Sequence, residues 1–149
     1  MSGASSRRIG SVDPNAAWQI LEEDSSARLI DVRTRAEWGF VGVPDLKEVG
    51  QTVIFTEWAI FPDMSVNPQF VAEVMEALGD QTPSKLLFIC RSGVRSLRAA
   101  NAVADHLAEC GIEADCINVA EGFEGDLDPK GHRGGQNGWK ARGLAWRQS

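Results

Sequence analysis

The sequence predicts one α/β domain with a central, mainly parallel sheet and helices on both of its faces. Three observations predict it. Short apolar runs rich in β-branched residues recur at Arg28–Val32 (RLIDV), Thr52–Phe55 (TVIF), Leu86–Cys90 (LLFIC) and Ala114–Val119 (ADCINV). They have the length of strands, and their near-continuous apolar character suits strands covered on both faces. Stretches with helical spacing stand between them, the alternation expected of parallel α/β architecture. At 149 residues the chain has the size of one ordinary domain, able to bury about 70% of the surface its unfolded form exposes.

The elements follow in order. Residues 1–10 are expected as a flexible N-terminus and residues 11–149 as the domain. Asp13 followed by Pro14 opens a helix to about Glu23, because Asp accepts from the orphan N–H groups and Pro suits the first helical position. The strand at Arg28–Val32 leads into Thr34-Arg-Ala-Glu37, which has capping-box spacing for a short helix through about Phe40. After the strand at Thr52–Phe55, Asn67-Pro68 opens a helix in which Phe70, Val71, Val74, Met75 and Leu78 share one face. Within Gln51–Met64 the aromatic residues are expected to serve ordinary core packing, as are Trp38, Trp58, Trp139 and Trp146. The strand ending at Cys90 runs through a tight turn into a helix starting near Ser96. Gly111, just after Cys110, is its expected left-handed cap. From about residue 122 to 149 the chain is basic and Gly-rich, loop chemistry with one helical turn near Trp139.

Composition narrows the function. Net charge is −6, but Asp128–Ser149 carries five Lys/Arg against one acid, so this stretch is +4 and the remainder −10. An acidic body argues against nucleic-acid binding. The basic segment has two readings, a solvated tail or a contact for phosphate or an acidic partner protein. No stretch approaches the roughly 20 apolar residues of a membrane span, and MSGASSRRIGS lacks the apolar centre of a signal peptide. A cytoplasmic protein without membrane contact is expected. Three cysteines, Cys90, Cys110 and Cys116, form no disulfide framework and no C-x-x-C pair, and His106 and His132 stand apart, so no metal site is expected.

Cys90 is the candidate nucleophile. It closes a buried strand, Gly93 lets the next turn take a positive φ, and Arg91, Arg95 and Arg98 crowd the start of the following helix. Helix N-termini and arginines favour a thiolate over a thiol, and successive N–H groups turned inward form a nest for an anion. Three arginines are an odd choice for a passive core position, since arginine is rarely buried without a partner.

The segments LIDVRTRAEW (Leu29–Trp38), CRSGVRS (Cys90–Ser96), and NVAEGFEG followed by GWKARGL resemble, in this order, the motifs of single-domain rhodaneses, which carry sulfur as a cysteine persulfide. The resemblance implies a single rhodanese-like domain and a sulfurtransferase. Cys90 would take sulfane sulfur from an anionic donor such as thiosulfate and pass it to cyanide or a thiol, with no cofactor beyond its own persulfide. The persulfide loop would be Arg91, Ser92, Gly93, Val94, Arg95 and Ser96. Arg91 and Arg95 would orient the sulfonate end of the donor, and Asp31 and Arg33 would tie neighbouring strand ends together in support. Glu37 is expected to cap its own helix. Cys110 and Cys116 occupy ordinary buried-cysteine positions. Where many relatives carry Gly-His-Ile-Pro-Gly-Ala, this chain reads Gly42-Val43-Pro44-Asp45-Leu46, without the histidine. Two rivals stand beside this reading: a sulfur-relay or non-catalytic module docking a partner protein, and a phosphatase. The loop argues against the second, because four residues rather than five separate Cys90 from Arg95, a ring better sized for sulfur than for phosphate.

Overall fold

A computed structural model describes residues 8–60, 62–80 and 82–148; Phe61, in the aromatic segment, and residues 1–7 of the expected N-terminus lie outside the described residues. Strands are β1 (Ile9–Val12), β2 (Arg28–Asp31), β3 (Val43–Pro44), β4 (Ile54–Phe55), β5 (Ala59–Ile60), β6 (Ser65–Val66), β7 (Lys85–Ile89), β8 (Asp115–Val119) and β9 (Trp146–Arg147). Helices are α1 (Pro14–Glu23), α2 (Arg35–Val41), α3 (Phe70–Leu78) and α4 (Val94–Glu109). The main sheet is wholly parallel, in the order β1-β8-β7-β2-β4. Two short antiparallel pairs, β3 with β9 and β5 with β6, flank it.

Strand alternation divides the core into two layers. Ile30, Leu86, Phe88 and Cys90 face one side, where Phe70 and Val74 of α3 and Ala100, Val103 and Leu107 of α4 cover them. Leu29, Leu87, Ile89, Ile117 and Val119 face the other, under Ala17 and Leu21 of α1 together with Phe123 and Trp139. Helices therefore cover both faces, as expected, and the rows fix where the cysteine points: Cys90 continues the Leu86–Phe88 row toward α4. Trp58 packs edge-on against Phe70 with ring centroids 5.1 Å apart, and Trp38 does the same against Phe55.

The helix starts follow their caps. Asp13 accepts from Ala16 N–H at 2.8 Å, with Pro14 in the first position. Thr34 and Glu37 form both halves of the capping box. Gly111 is left-handed with φ 71°. No helix among the described residues is long and apolar enough to cross a membrane.

Three expectations need correction. Ile9 and Gly10, placed in the flexible N-terminus, belong to β1 and pair with Cys116 and Ile117 at the sheet edge. Helix α4 starts at Val94 rather than near Ser96, because Gly93 itself turns the chain (φ 110°). The C-terminal segment is no solvated tail. Trp139 is fully buried, β9 pairs with β3, and Lys140 Nζ lies 4.0 Å from the Trp146 ring centroid while donating to the Val41 carbonyl.

Candidate active site

The site forms at the carboxyl end of the parallel sheet, where open α/β sheets place their ligands. Strand β7 delivers Cys90, and β2 and β8 on either side deliver Asp31–Arg33 and Asn118–Phe123. Gly93 N–H donates to Cys90 Sγ at 3.1 Å, and Ser96 Oγ lies 3.2 Å from the same sulfur. Leu97 N–H is bonded back to the Gly93 carbonyl, so the N–H groups of Val94, Arg95 and Ser96 precede the intrahelical ladder and have no carbonyl a turn behind them. The thiol thus sits in a turn of fixed donors at a helix N-terminus, 1% exposed.

The loop is clamped from the β8 side. Phe123 N–H donates to the Cys90 carbonyl at 2.8 Å, and Glu124 and Gly125 N–H both donate to the Arg91 carbonyl. Gly122 lies against the same backbone with φ 68°, where a Cβ would come within 2.5 Å of the Cys90 oxygen. Glu121, a non-glycine residue at φ 70°, holds the C-terminal segment in place. Its carboxylate accepts from Gly138 N–H and from Arg142 at 2.8 and 2.6 Å, and the Arg142 partnership keeps it below the usual carboxylate range.

The arginines divide by partner. Arg95 makes a two-pronged ion pair with Glu37, at 2.7 and 2.9 Å, which ties the start of α4 to α2. Glu37 does cap its own helix as well, accepting from Thr34 N–H and Oγ1. Burial works against the charge on Glu37, but the Arg95 guanidinium and the Thr34 donors outweigh it and hold the carboxyl below its ordinary value of 4.5. Arg91 and Arg98 are exposed. Arg33 and Asp31, both fully buried, pair with each other rather than with neighbouring strands (Arg33 Nη2 to Asp31 Oδ2, 2.7 Å). Arg33 also donates to the Gly42 carbonyl at 2.8 Å and lies 4.3 Å from the Phe123 ring centroid. The pair therefore fastens the end of β2 to the end of α2 and to the clamp over Cys90. Ser92 and Gly93 are half-buried and Val94 is exposed.

The remaining cysteines separate in the same way. Cys116 is fully buried in β8 and burial pushes its thiol up to about 12, so it stays protonated and inert. Cys110 is exposed, 3.6 Å from His106 Nε2, and not in the buried place expected for it. Among the described residues no three His, Cys, Asp or Glu side chains gather to hold a metal ion. A cleft of about 560 Å³ walled by Trp38, Phe55, Glu57 and Glu73 includes no residue of the Cys90–Ser96 loop. Asn118, Gly122 and Phe123 lie within the NVAEGFEG segment, which the sequence singled out as a motif without giving any of the three a role. Their signals were the segment itself and a glycine three residues beyond the end of β8.

The Glu37–Arg95 pair predicts an acid dependence. A carboxyl whose folded value is depressed contributes stability that is complete above 4.5 and lost as the pH falls through its lower folded value. Glu37→Gln is expected to cost about 1–2 kcal/mol at neutral pH. Urea unfolding from neutral pH into the acid range should show the gap between the two proteins constant at first and then closing; a gap that widened on acidification would contradict the assignment.

No protein-family model matches the chain. It is 35% identical over 130 residues to the uncharacterized protein RC0915 of Rickettsia conorii, covering 87% of this chain and 90% of that one. The crystal structure of Rv0390 from M. tuberculosis superposes with a TM-score of 0.80 at 45% identity, covering 95% of this chain and 99% of that one. A rhodanese-like domain protein from Staphylococcus aureus aligns over 94% of this chain and 98% of that one with a TM-score of 0.48 at 17% identity, a likeness too distant to carry an assignment.

Proposed function

We propose that this chain, which belongs to the family of Rv0390 and the Rickettsia protein RC0915, is a rhodanese-type sulfurtransferase working through a persulfide on Cys90. The observation that carries the reading is the Cys90 sulfur receiving the Gly93 N–H at 3.1 Å at the entrance to α4, within a CRSGVRS loop. In the first step the Cys90 thiolate attacks the outer sulfur of an anionic donor such as thiosulfate. A sulfur–sulfur bond forms to Cys90, the bond to the sulfonate sulfur breaks, and sulfite leaves with the electron pair. In the second step a thiol or cyanide takes the outer sulfur and the Cys90 thiolate is restored.

Fixed N–H dipoles at a helix N-terminus serve the anionic sulfur in both steps without an external base. With Cys90 1% exposed, the substrate end that meets it is a single atom arriving end-on, which suits a terminal sulfur. Arg91 attracts the anionic donor. Arg95 has both Nη atoms engaged with Glu37, and this supports sulfur over phosphate.

Incubation with thiosulfate followed by intact mass spectrometry is expected to show one added sulfur atom, released by reductant and absent in Cys90→Ala. If no anionic sulfur donor leaves that adduct on the unaltered protein, the sulfurtransferase reading fails.

A further inference from the structure

Behind Cys90 lies a polar layer that the loop motif does not contain. Ser96 Oγ is 3.2 Å from Cys90 Sγ and 2.6 Å from Asn118 Oδ1. All three residues are buried: Ser96 completely, Cys90 at 1% and Asn118 at 6% exposure. Asn118 stands opposite Phe88 in the β7–β8 register, so by strand alternation it shares the Phe88–Cys90 face.

A hydroxyl has one hydrogen to give, and Ser96 has two acceptors within reach. With the Asn118 carbonyl toward it, Ser96 donates to Asn118 and its oxygen is left to accept the S–H of a Cys90 thiol. An anionic sulfur only accepts, so Ser96 must then turn its hydrogen to Cys90. That would leave two bare oxygens 2.6 Å apart. Rotating the amide half a turn relieves this, because the NH₂ group then donates to Ser96. The Nδ2 side of Asn118 lies toward Gly93, 3.8 Å from where a Cβ there would stand, so the two ends of the amide sit between the hydroxyl and the loop.

We propose that Asn118 is a positioning residue for Cys90, its side-chain amide turning over so that the Ser96 hydroxyl serves the sulfur as acceptor in the thiol state and as donor in the anionic state. The inference rests on the reading of Cys90 as a nucleophile. Linked donors strengthen one another in a buried site, and the hydrogen bonds that join the amide to the sulfur run through Ser96. Its contribution must therefore vanish when Ser96 does.

The test is a double-mutant cycle in a Cys110→Ser background, which removes the exposed cysteine and leaves Cys116 buried. Alkylation of Cys90 by iodoacetamide at one fixed neutral pH is followed by intact mass, with persulfide formation from thiosulfate measured in parallel. Ser96→Ala is expected to slow alkylation about tenfold or more, the loss of a hydrogen bond to a charged group. Ser96→Thr, which keeps the hydroxyl, should restore most of the rate. Asn118→Leu, with Asn118→Ala as a smaller second variant, should slow it about threefold to tenfold in the presence of Ser96 and not at all in the Ser96→Ala protein. Equal losses in both backgrounds, or unchanged rates in the Asn118 variants, would overturn the proposal. Coupling in alkylation without any persulfide would leave Asn118 as assigned and reject sulfur transfer; a persulfide without coupling would do the reverse.

Discussion

Replacing Arg33 by methionine is expected to lower the unfolding free energy by about 3–5 kcal/mol, the usual cost of removing one partner from a buried ion pair. The Asp31 carboxylate, fully buried, would keep only the N–H of residue 33 as a donor, and the Gly42 carbonyl would lose its guanidinium partner. The double variant Asp31→Asn/Arg33→Met removes the stranded charge and should recover much of the loss, because a neutral replacement of a buried pair is often nearly costless. Guanidinium unfolding checks both, the midpoints moving with little change of slope. A single-variant loss below about 1 kcal/mol would place Asp31 among surface-type ion pairs and defeat the argument from burial.

Gly122→Ala is the second large effect expected, this time on the site as well as on stability. The backbone at 122 is left-handed, and the added carbon would lie 2.5 Å from the Cys90 oxygen and 2.6 Å from the Arg91 carbonyl. Backbone atoms cannot swing aside as a flexible side chain can. Strain of this kind and overpacking together amount to about 2–4 kcal/mol. The atoms pushed are those that carry the cysteine, so sulfur uptake by Cys90 should fall at least about tenfold in the protein that remains folded, by analogy with loss of one oriented donor. Gly135→Ala is the matched control, since a Cβ there meets nothing within 4 Å and should be silent in both measurements. Thermal unfolding and the persulfide mass assay, run side by side, separate the two contributions; a Gly122→Ala protein with an unaltered loop rate would show that the clamp does not position the cysteine.

Much of the fold was legible from local patterns. The β2, β7 and β8 runs are apolar because they are covered on both faces. The capping box at Thr34 and the Asp13-Pro14 start are signals complete within four residues. Strand β1 was not legible: IGSV is four residues long, contains Gly and Ser, and lies at an edge with Ile9 39% exposed, so it has neither the length nor the burial that creates a pattern. The C-terminal segment misled for another reason. Its basic residues look solvated in sequence, yet Arg142 finds Glu121 21 residues away and Lys140 finds the Val41 carbonyl 99 residues away.

Local sequence is enough for the alternation of strands and helices, for the placement of Cys90 at a strand end before a helix, and for a loop in which four residues rather than five separate Cys90 from Arg95. Those properties are local, set by side-chain periodicity, by Gly93 and by chain spacing. The three-dimensional packing set which arginine is paired and what stands behind the sulfur. Arg95 is held by Glu37 across 58 residues, and Ser96 meets Asn118 across 22. Pairing at such separations depends on which strand ends the sheet order brings side by side, and no stretch of chain a few residues long encodes that.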